Sequence, residues 1–209
     1  MLEHVPHWLG ELLSNVRAGH GKLTIAQLGG TSGTPHIALS SPAFAAGARL
    51  PERFTADGAG VSPPLVWGEV PSGTASLALL VEDPDAPTPN PLVHALVWHL
   101  PPETRSLAEN AIRHEGAGAE DGRDIGLNSF FAEGWLPPDP PTGHGSHDYV
   151  FQLFALSETP ALGLRPGRID LVKALQGHVL GAGVLIGTYS REEPAASGPA
   201  FAWPSPVTD

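Results

Sequence analysis

The chain has 209 residues, 41% of them hydrophobic and 16% charged, a balance that fits one globular domain and excludes a disordered chain or a coiled coil. Lys+Arg 11 against Asp+Glu 22 gives a formal net charge of -11, without the clustered cations that a nucleic-acid groove or a docking face for anionic lipid needs. The absence of cysteine removes disulfides, thiolate nucleophiles and zinc fingers, while Gly 25 and Pro 23, dispersed along the chain, predict a loop-rich β protein.

In chain order, residues 8–17 place Trp8, Leu9, Leu12, Leu13 and Val16 at helical spacing, closed by Gly19 and Gly21. This predicts a short amphipathic helix whose apolar stripe packs on the body of the protein or on a second copy, since so short a helix is marginal alone. Residues 29–35 read as a linker, so 1–35 form an N-terminal helical extension and linker. From 36 to 191 the chain reads as one β-rich unit, with strand-length apolar stretches at Ile37, Leu39, Leu77–Val81, Val93–Leu100 and Tyr149–Leu156. Both faces of the last of these are apolar, which predicts a central strand. Apolar positions at 169, 172, 175, 179 and 180 predict a helix over 169–180, followed by a final strand from Gly183 to Tyr189. Residues 192–209, with four prolines, read as an irregular tail. The start, Met1 to Trp8, lacks the basic and apolar regions of a secretory signal, and no apolar run approaches membrane-spanning length, so a cytoplasmic protein without stable membrane insertion is expected.

Two segments gather titratable residues against strands. In one, Glu82-Asp83-Pro84-Asp85-Ala86-Pro87 leaves a strand through a proline-stiffened turn and His94 enters the next strand. In the other, a loop from Pro137 to Ser146, rich in proline and glycine, runs into the central strand, where His147 and Tyr149 fall on one face. Taken alone, Asp83 and Asp85 are turn-formers capping local N–H groups, and His94 and His147 are core histidines. His144 and His147 have H-x-x-H spacing, but the glycine at 145 argues against the two imidazoles converging, and no metal or cofactor is expected. Ser146 beside His147 does not form a G-x-S-x-G elbow, and phosphate-cradling nucleotide motifs are absent.

At these residues the chain resembles the phosphatidylethanolamine-binding protein family, in its bacterial Raf-kinase-inhibitor-like branch. The resemblance rests on Leu39-Ser40-Ser41-Pro42-Ala43-Phe44, the run from Phe54 to Trp67, the Asp83-Pro84-Asp85-Ala86-Pro87 block, the Gly143-His144-Gly145-Ser146-His147-Asp148-Tyr149-Val150-Phe151 block, and Gly177-His178-Val179-Leu180. It implies a mostly β fold, a β-sandwich with a few short helices, and a small anion pocket at one end. Matched residue by residue, Asp83, His94, His147 and Tyr149 fall in that pocket, with Asp85, Asp139 and Pro141 at its rim. The resemblance and the tightness of the turn also suggest a cis Ala86–Pro87 bond. Asp148 stands where the family usually has Arg, Ala56 where bacterial members often have Cys, and Trp135 to Pro138 where a glycine-rich stretch is usual.

The resemblance implies a binding or regulatory protein that takes a small phosphorylated or zwitterionic ligand, such as a phospholipid headgroup. Two imidazoles and a phenol can donate to phosphate oxygens, while Asp83 or Asp85 can accept from an ammonium. The alternatives are an enzyme using the Asp/His pocket for acid–base chemistry, and an inhibitor-type interaction protein acting on a kinase or protease. No catalytic residue is assigned, nucleic acid is not an expected partner, and a homodimer involving the N-terminal extension is expected.

Overall fold

The computed structural model describes residues 12–29, 33–113 and 122–191. Two antiparallel sheets stack on each other. The larger has five strands in the order β6-β4-β3-β7-β8: β3 (Ser76–Asp83), β4 (Leu92–Leu100), β6 (Asp124–Ile125), β7 (His147–Leu156) and β8 (Val179–Tyr189). The smaller has three short strands in the order β1-β2-β5, over Leu39–Ser40, Leu65–Trp67 and Ser106–Leu107. β3 and β7 are interior, as their apolar faces predict.

The period-2 alternation of β3 divides the molecule. Leu77, Leu79 and Val81 face the smaller sheet, in a core with Trp67, Tyr149, Phe151 and Leu153. Ala78 and Leu80 face the other way, in a second core with Phe154, Leu171 and Leu175. Two helices cover that second face: α1 (Thr24–Gln27), after a 3-10 turn over His20–Lys22, and α2 (Arg168–Leu175). α2 is shorter than the expected 169–180. It buries Leu171 and Leu175, leaves Ile169 exposed, and stops where Gly177 takes φ 79, a left-handed conformation that glycine adopts at helix ends. His178 therefore lies in the turn before β8, with Nε2 3.4 Å from the Glu158 carboxylate.

β8 is flanked by earlier chain. Ile37 N–H donates to Ala182 O, Gly47 N–H to Ile186 O and Leu50 N–H to Thr188 O. The approach is close enough that a Cβ on Gly183 would meet Ile37 O at 2.4 Å. On the far side of the sheet, the β4 carbonyls of Val93, His94 and Leu96 accept N–H groups from Ser129, Leu136 and Gly126.

Trp8 and Leu9 lie outside the described residues, as does the 192–209 tail. Of the remaining stripe, Leu12 and Val16 are exposed and Leu13 is half-buried against its own sandwich. Residues 17–24 then run beside the loop that leaves β3: Ala18 N–H donates to Ala86 O and Gly19 N–H to Pro84 O. The described part of the extension thus packs on its own subunit. No helix among the described residues is long and apolar enough to cross a membrane.

Candidate functional site

Where the two sheets meet the loops at one end lies a cavity of about 320 Å³, lined by Asp83, His94, Asp139, Pro141, His147 and Tyr149 among others. Six of the seven residues expected from sequence therefore come together. Asp83 continues the inward row of β3, and His147 and Tyr149 share the inward face of β7. His94 arrives by a β-bulge. Val81 pairs with Ala95 but Glu82 with Val93, so β4 holds one extra residue, His94, whose side chain is turned into the cavity.

Asp83 is 4% exposed and organises both its turn and a histidine. Its Oδ1 accepts the N–H groups of Asp85 (2.7 Å) and Ala86 (3.0 Å), and its Oδ2 accepts Nδ1–H of His147 at 2.8 Å. This double cap makes the turn with trans peptides. There is no cis bond among the described residues, so the expected cis Ala86–Pro87 is not present.

His147 continues the chain, with its Nε2 2.7 Å from Nδ1 of His144. The two imidazoles do converge, contrary to the sequence expectation, because Gly145 takes φ 92 and folds the loop back. Their nitrogens share a proton across 2.7 Å, which is too short for an intervening metal with bonds of about 2.0–2.1 Å to each. Both ring nitrogens of His147 are thus engaged within the protein. His144 is buried beside the backbone carbonyls of Leu13 and Val16, and its pKa is lowered by burial and by the neighbouring His147.

The groups with unused hydrogen-bonding capacity on the floor are His94 Nε2 and the Tyr149 hydroxyl, both fully buried and without a partner. The carbonyl of Leu136, 2.7 Å from Nδ1 of His94, fixes the ring proton there and leaves Nε2 as a lone pair. Burial pushes the His94 pKa down, opposed by Asp83, so the ring is neutral at pH 7. Burial also pushes Tyr149 well above the usual phenol range, with Asp83 adding to the effect, so Tyr149 keeps its proton. The floor therefore offers one acceptor and one hydroxyl. The two rings meet edge to face, with centroids 5.0 Å apart.

The walls are apolar: Leu13, Pro87, Leu92, Phe130, Leu136 and the prolines at 137, 140 and 141. Asp139 and the proline wall are held by Arg191, whose guanidinium pairs with Asp139 at 2.6 Å, donates to Pro140 O and grips Asp57. The Arg191 hydrogen bond holds the Asp57 carboxyl below its ordinary range. Trp135, in the stretch where the family pattern is broken, packs near His94 and stacks on Phe151.

Asp85 is the expected site residue that the structure places elsewhere. It is 5% exposed, accepts the N–H of Asp148 at 2.8 Å and pairs with Arg17 at 2.5 Å, outside the cavity lining. Asp148 points away from the floor and meets Nε2 of His20 at 3.0 Å. Sequence reasoning missed Arg17, Leu13 and the use of His144. Only the last had a local signal, its H-x-x-H spacing.

A double sheet with a buried Asp/His/Tyr floor at one end defines a β-sandwich with a cavity at the end of its sheets. The chain belongs to the phosphatidylethanolamine-binding protein family, whose pattern it matches over residues 40–190. A UPF0098 protein of Methanothermobacter thermautotrophicus is 40% identical over 155 residues, covering 73% of this chain and 98% of that protein. A UPF0098 protein of Pyrococcus horikoshii is 34% identical over 195 residues, 92% of this chain and 96% of its own length, so that similarity extends into the N-terminal segment. Among solved structures, YbcL of E. coli, a member of the mammalian family, superposes with a TM-score of 0.69 at 28% identity, covering 74% of this chain and 98% of YbcL. The family homolog CT736 of Chlamydia trachomatis gives 0.67 at 32%, covering 76% of this chain and 100% of CT736.

Proposed function

We propose that this protein is a binding or regulatory protein whose ligand is a small phosphate-bearing molecule held in the cavity. The phosphate sits on the floor, and any apolar group lies along the proline walls. The observation that carries this reading is the pair of buried, unpartnered polar atoms, His94 Nε2 and the Tyr149 hydroxyl, at the base of an otherwise apolar cavity. Leaving such groups unsatisfied costs about 1–3 kcal/mol each, and a ligand that supplies a donor and an acceptor removes that cost. A singly protonated phosphate does both: its P–O–H donates to His94 Nε2, and a phosphoryl oxygen accepts from Tyr149. The dianion lacks that proton and meets Asp83 beside an imidazole whose pKa is already lowered.

The sign of the pH dependence follows. The second ionisation of a phosphate monoester lies near pH 6. Above it the complex must take up a proton that the free ligand has lost, so affinity falls by up to about tenfold per pH unit. Calorimetry with inorganic phosphate and ethyl phosphate between pH 5.5 and 8 is expected to show binding that tightens toward the acid end and is lost in His94→Ala. Equal binding by wild type and a His94→Ala/Tyr149→Phe double variant overturns the proposal. The net charge of -11 supports small anions over polyanionic partners, because the long-range field opposes nucleic acid while a single site is decided locally.

A further inference from the structure

The rim of the cavity carries a large aromatic side chain that belongs to neither apolar core. Phe130 lines the cavity yet is 53% exposed, whereas the other lining residues are buried or half-buried. Leaving such a ring in water is unfavourable, and a ligand seated in the cavity is placed to cover it. The ring is also close to the floor. Ser129 N–H donates to Val93 O at 3.0 Å and Val93 N–H to Ser129 Oγ at 2.7 Å, so Phe130 and His94 each follow directly after one member of a bonded pair. The turn that carries Phe130 is fixed from several sides. The buried Asn128 accepts, on Oδ1, the N–H groups of Phe130 at 2.9 Å and Ala132 at 3.3 Å, and Arg165 Nη2 donates to Phe131 O at 2.9 Å. These contacts hold Phe131 at φ 58, a left-handed conformation that a bulky residue rarely takes by itself. A ring whose backbone is fixed in advance loses little freedom when a ligand meets it.

We propose that Phe130 is a specificity-determining residue and that the ligand is an aryl phosphate monoester, its ring lying on Phe130 while its phosphate meets His94 and Tyr149. The remaining wall is rigid and apolar, with prolines at 87, 137, 140 and 141. An alkyl group would be served as well by a leucine at the rim. A ring against a ring, offset or edge to face, gains beyond the area that it buries. The volume agrees: about 320 Å³ lies at the small end of the range for small-molecule sites, about 300–1,000 Å³, and holds one ring beside a phosphate. The inference rests on the cavity being the phosphate site, and deepens that reading by naming the group that the phosphate carries.

The test measures four probes on the full chain by calorimetry at one pH: ethyl, cyclohexyl and phenyl phosphate, and phenol, which has the ring without the phosphate. Each comparison is the change in a ratio of affinities between wild type and variant, so differences in the probes' own ionisation cancel. Phe130→Ala is expected to lower the phenyl-to-ethyl ratio about tenfold and to leave ethyl phosphate affinity within about twofold of wild type. Phe130→Leu, which keeps an apolar rim without a ring, is expected to lower the phenyl-to-cyclohexyl ratio about threefold, and Phe130→Tyr to keep both ratios. Because Phe130 is exposed, all three variants are expected to melt as wild type does. An unchanged phenyl-to-ethyl ratio in Phe130→Ala, with ethyl phosphate still bound, overturns the role of Phe130 and leaves the phosphate reading standing. A fall in that ratio with no change in phenyl-to-cyclohexyl in Phe130→Leu overturns the aryl class. Phenol bound as tightly as phenyl phosphate, and more weakly by Phe130→Ala, sustains the role of Phe130 and overturns the phosphate reading. Binding of none of the four by wild type overturns both.

Discussion

Glu82 and Asp83 follow each other on β3, and the pleat sends the first to the helix-covered face and the second into the cavity. Glu82 is fully buried and closed on all sides: Thr24 donates through both N–H and hydroxyl, Gln152 through Nε2 and Arg168 through Nε. Gln152 in turn accepts Ile25 N–H, so the network ties α1, α2, β3 and β7 together. Asp83 is also well satisfied, yet the groups around it on the cavity floor are not, since His94 Nε2 and the Tyr149 hydroxyl have no partner. Equal burial with unequal satisfaction separates a network that is closed within the chain from one with hydrogen-bonding capacity left over, which the proposed ligand would use.

The sharpest way to break this comparison is on the Glu82 side. Arg168→Met leaves a fully buried carboxylate without its cation, and a stability loss of about 3–5 kcal/mol in urea denaturation is expected. A loss under about 1 kcal/mol would mean that this network is dispensable. Asp83→Asn is expected to cost less, about 1–2 kcal/mol, because an amide oxygen can still accept the N–H groups of Asp85 and Ala86 while the proton on His147 moves to its other nitrogen. An equal loss in the two variants would erase the distinction.

The pH dependence of stability sharpens it further. His94 and His144 both have lowered pKa values in the folded protein, so as pH falls below about 6.5 the unfolded chain gains protons that the folded one does not. Stability is therefore present above that pH and lost as it falls through the folded values, at no more than about 1.4 kcal/mol per pH unit for each histidine. Melting temperatures from pH 7.5 to 5 are expected to decline, and to decline less steeply in a His94→Gln/His144→Gln variant. The smallest effect is expected from Tyr149→Phe. Removing a buried hydroxyl with no partner is expected to stabilise the ligand-free fold by about 1 kcal/mol, the low end of the cost of leaving it unsatisfied, while ethyl phosphate affinity drops about threefold to tenfold. Loss of stability without loss of affinity would move Tyr149 to the structural side.

What the sequence made legible follows from how local each signal is. The runs Leu77–Val81, Val93–Leu100 and Tyr149–Leu156 announce strands because burial on both faces leaves continuous apolar stretches. His147 and Tyr149 could be placed together because period 2 within one strand is enough. The bulge that turns His94 inward depends on the register between β3 and β4, which a single sequence does not carry. Arg17 looks like an ordinary surface residue when read in order, and its partner Asp85, which the resemblance put at the pocket rim, meets it across distant parts of the chain. Glu82 shows the same limit from the other side: adjacent to a recognisable block, it was silent because its partners Thr24, Gln152 and Arg168 lie on three separate elements.

The close passage of residues 35–50 along β8 has a consequence for how copies of this chain can meet. An edge strand with free N–H and C=O groups is a template for adding another strand, and is the usual entry to runaway sheet extension. Here the outer edge of the large sheet at β8 is met by Ile37, Gly47 and Leu50, and on the opposite side, where the two-residue edge strand β6 covers only part of β4, the rest of β4 is met by Gly126, Ser129 and Leu136. Self-assembly of this sandwich by strand addition is therefore blocked at these positions by the chain's own loops, and contacts between copies there must be made by side chains. Gly183 is the point where that protection is thinnest, because the cover lies too close for any other residue. Gly183→Val is expected to lift it away and convert a well-behaved sandwich into one that aggregates.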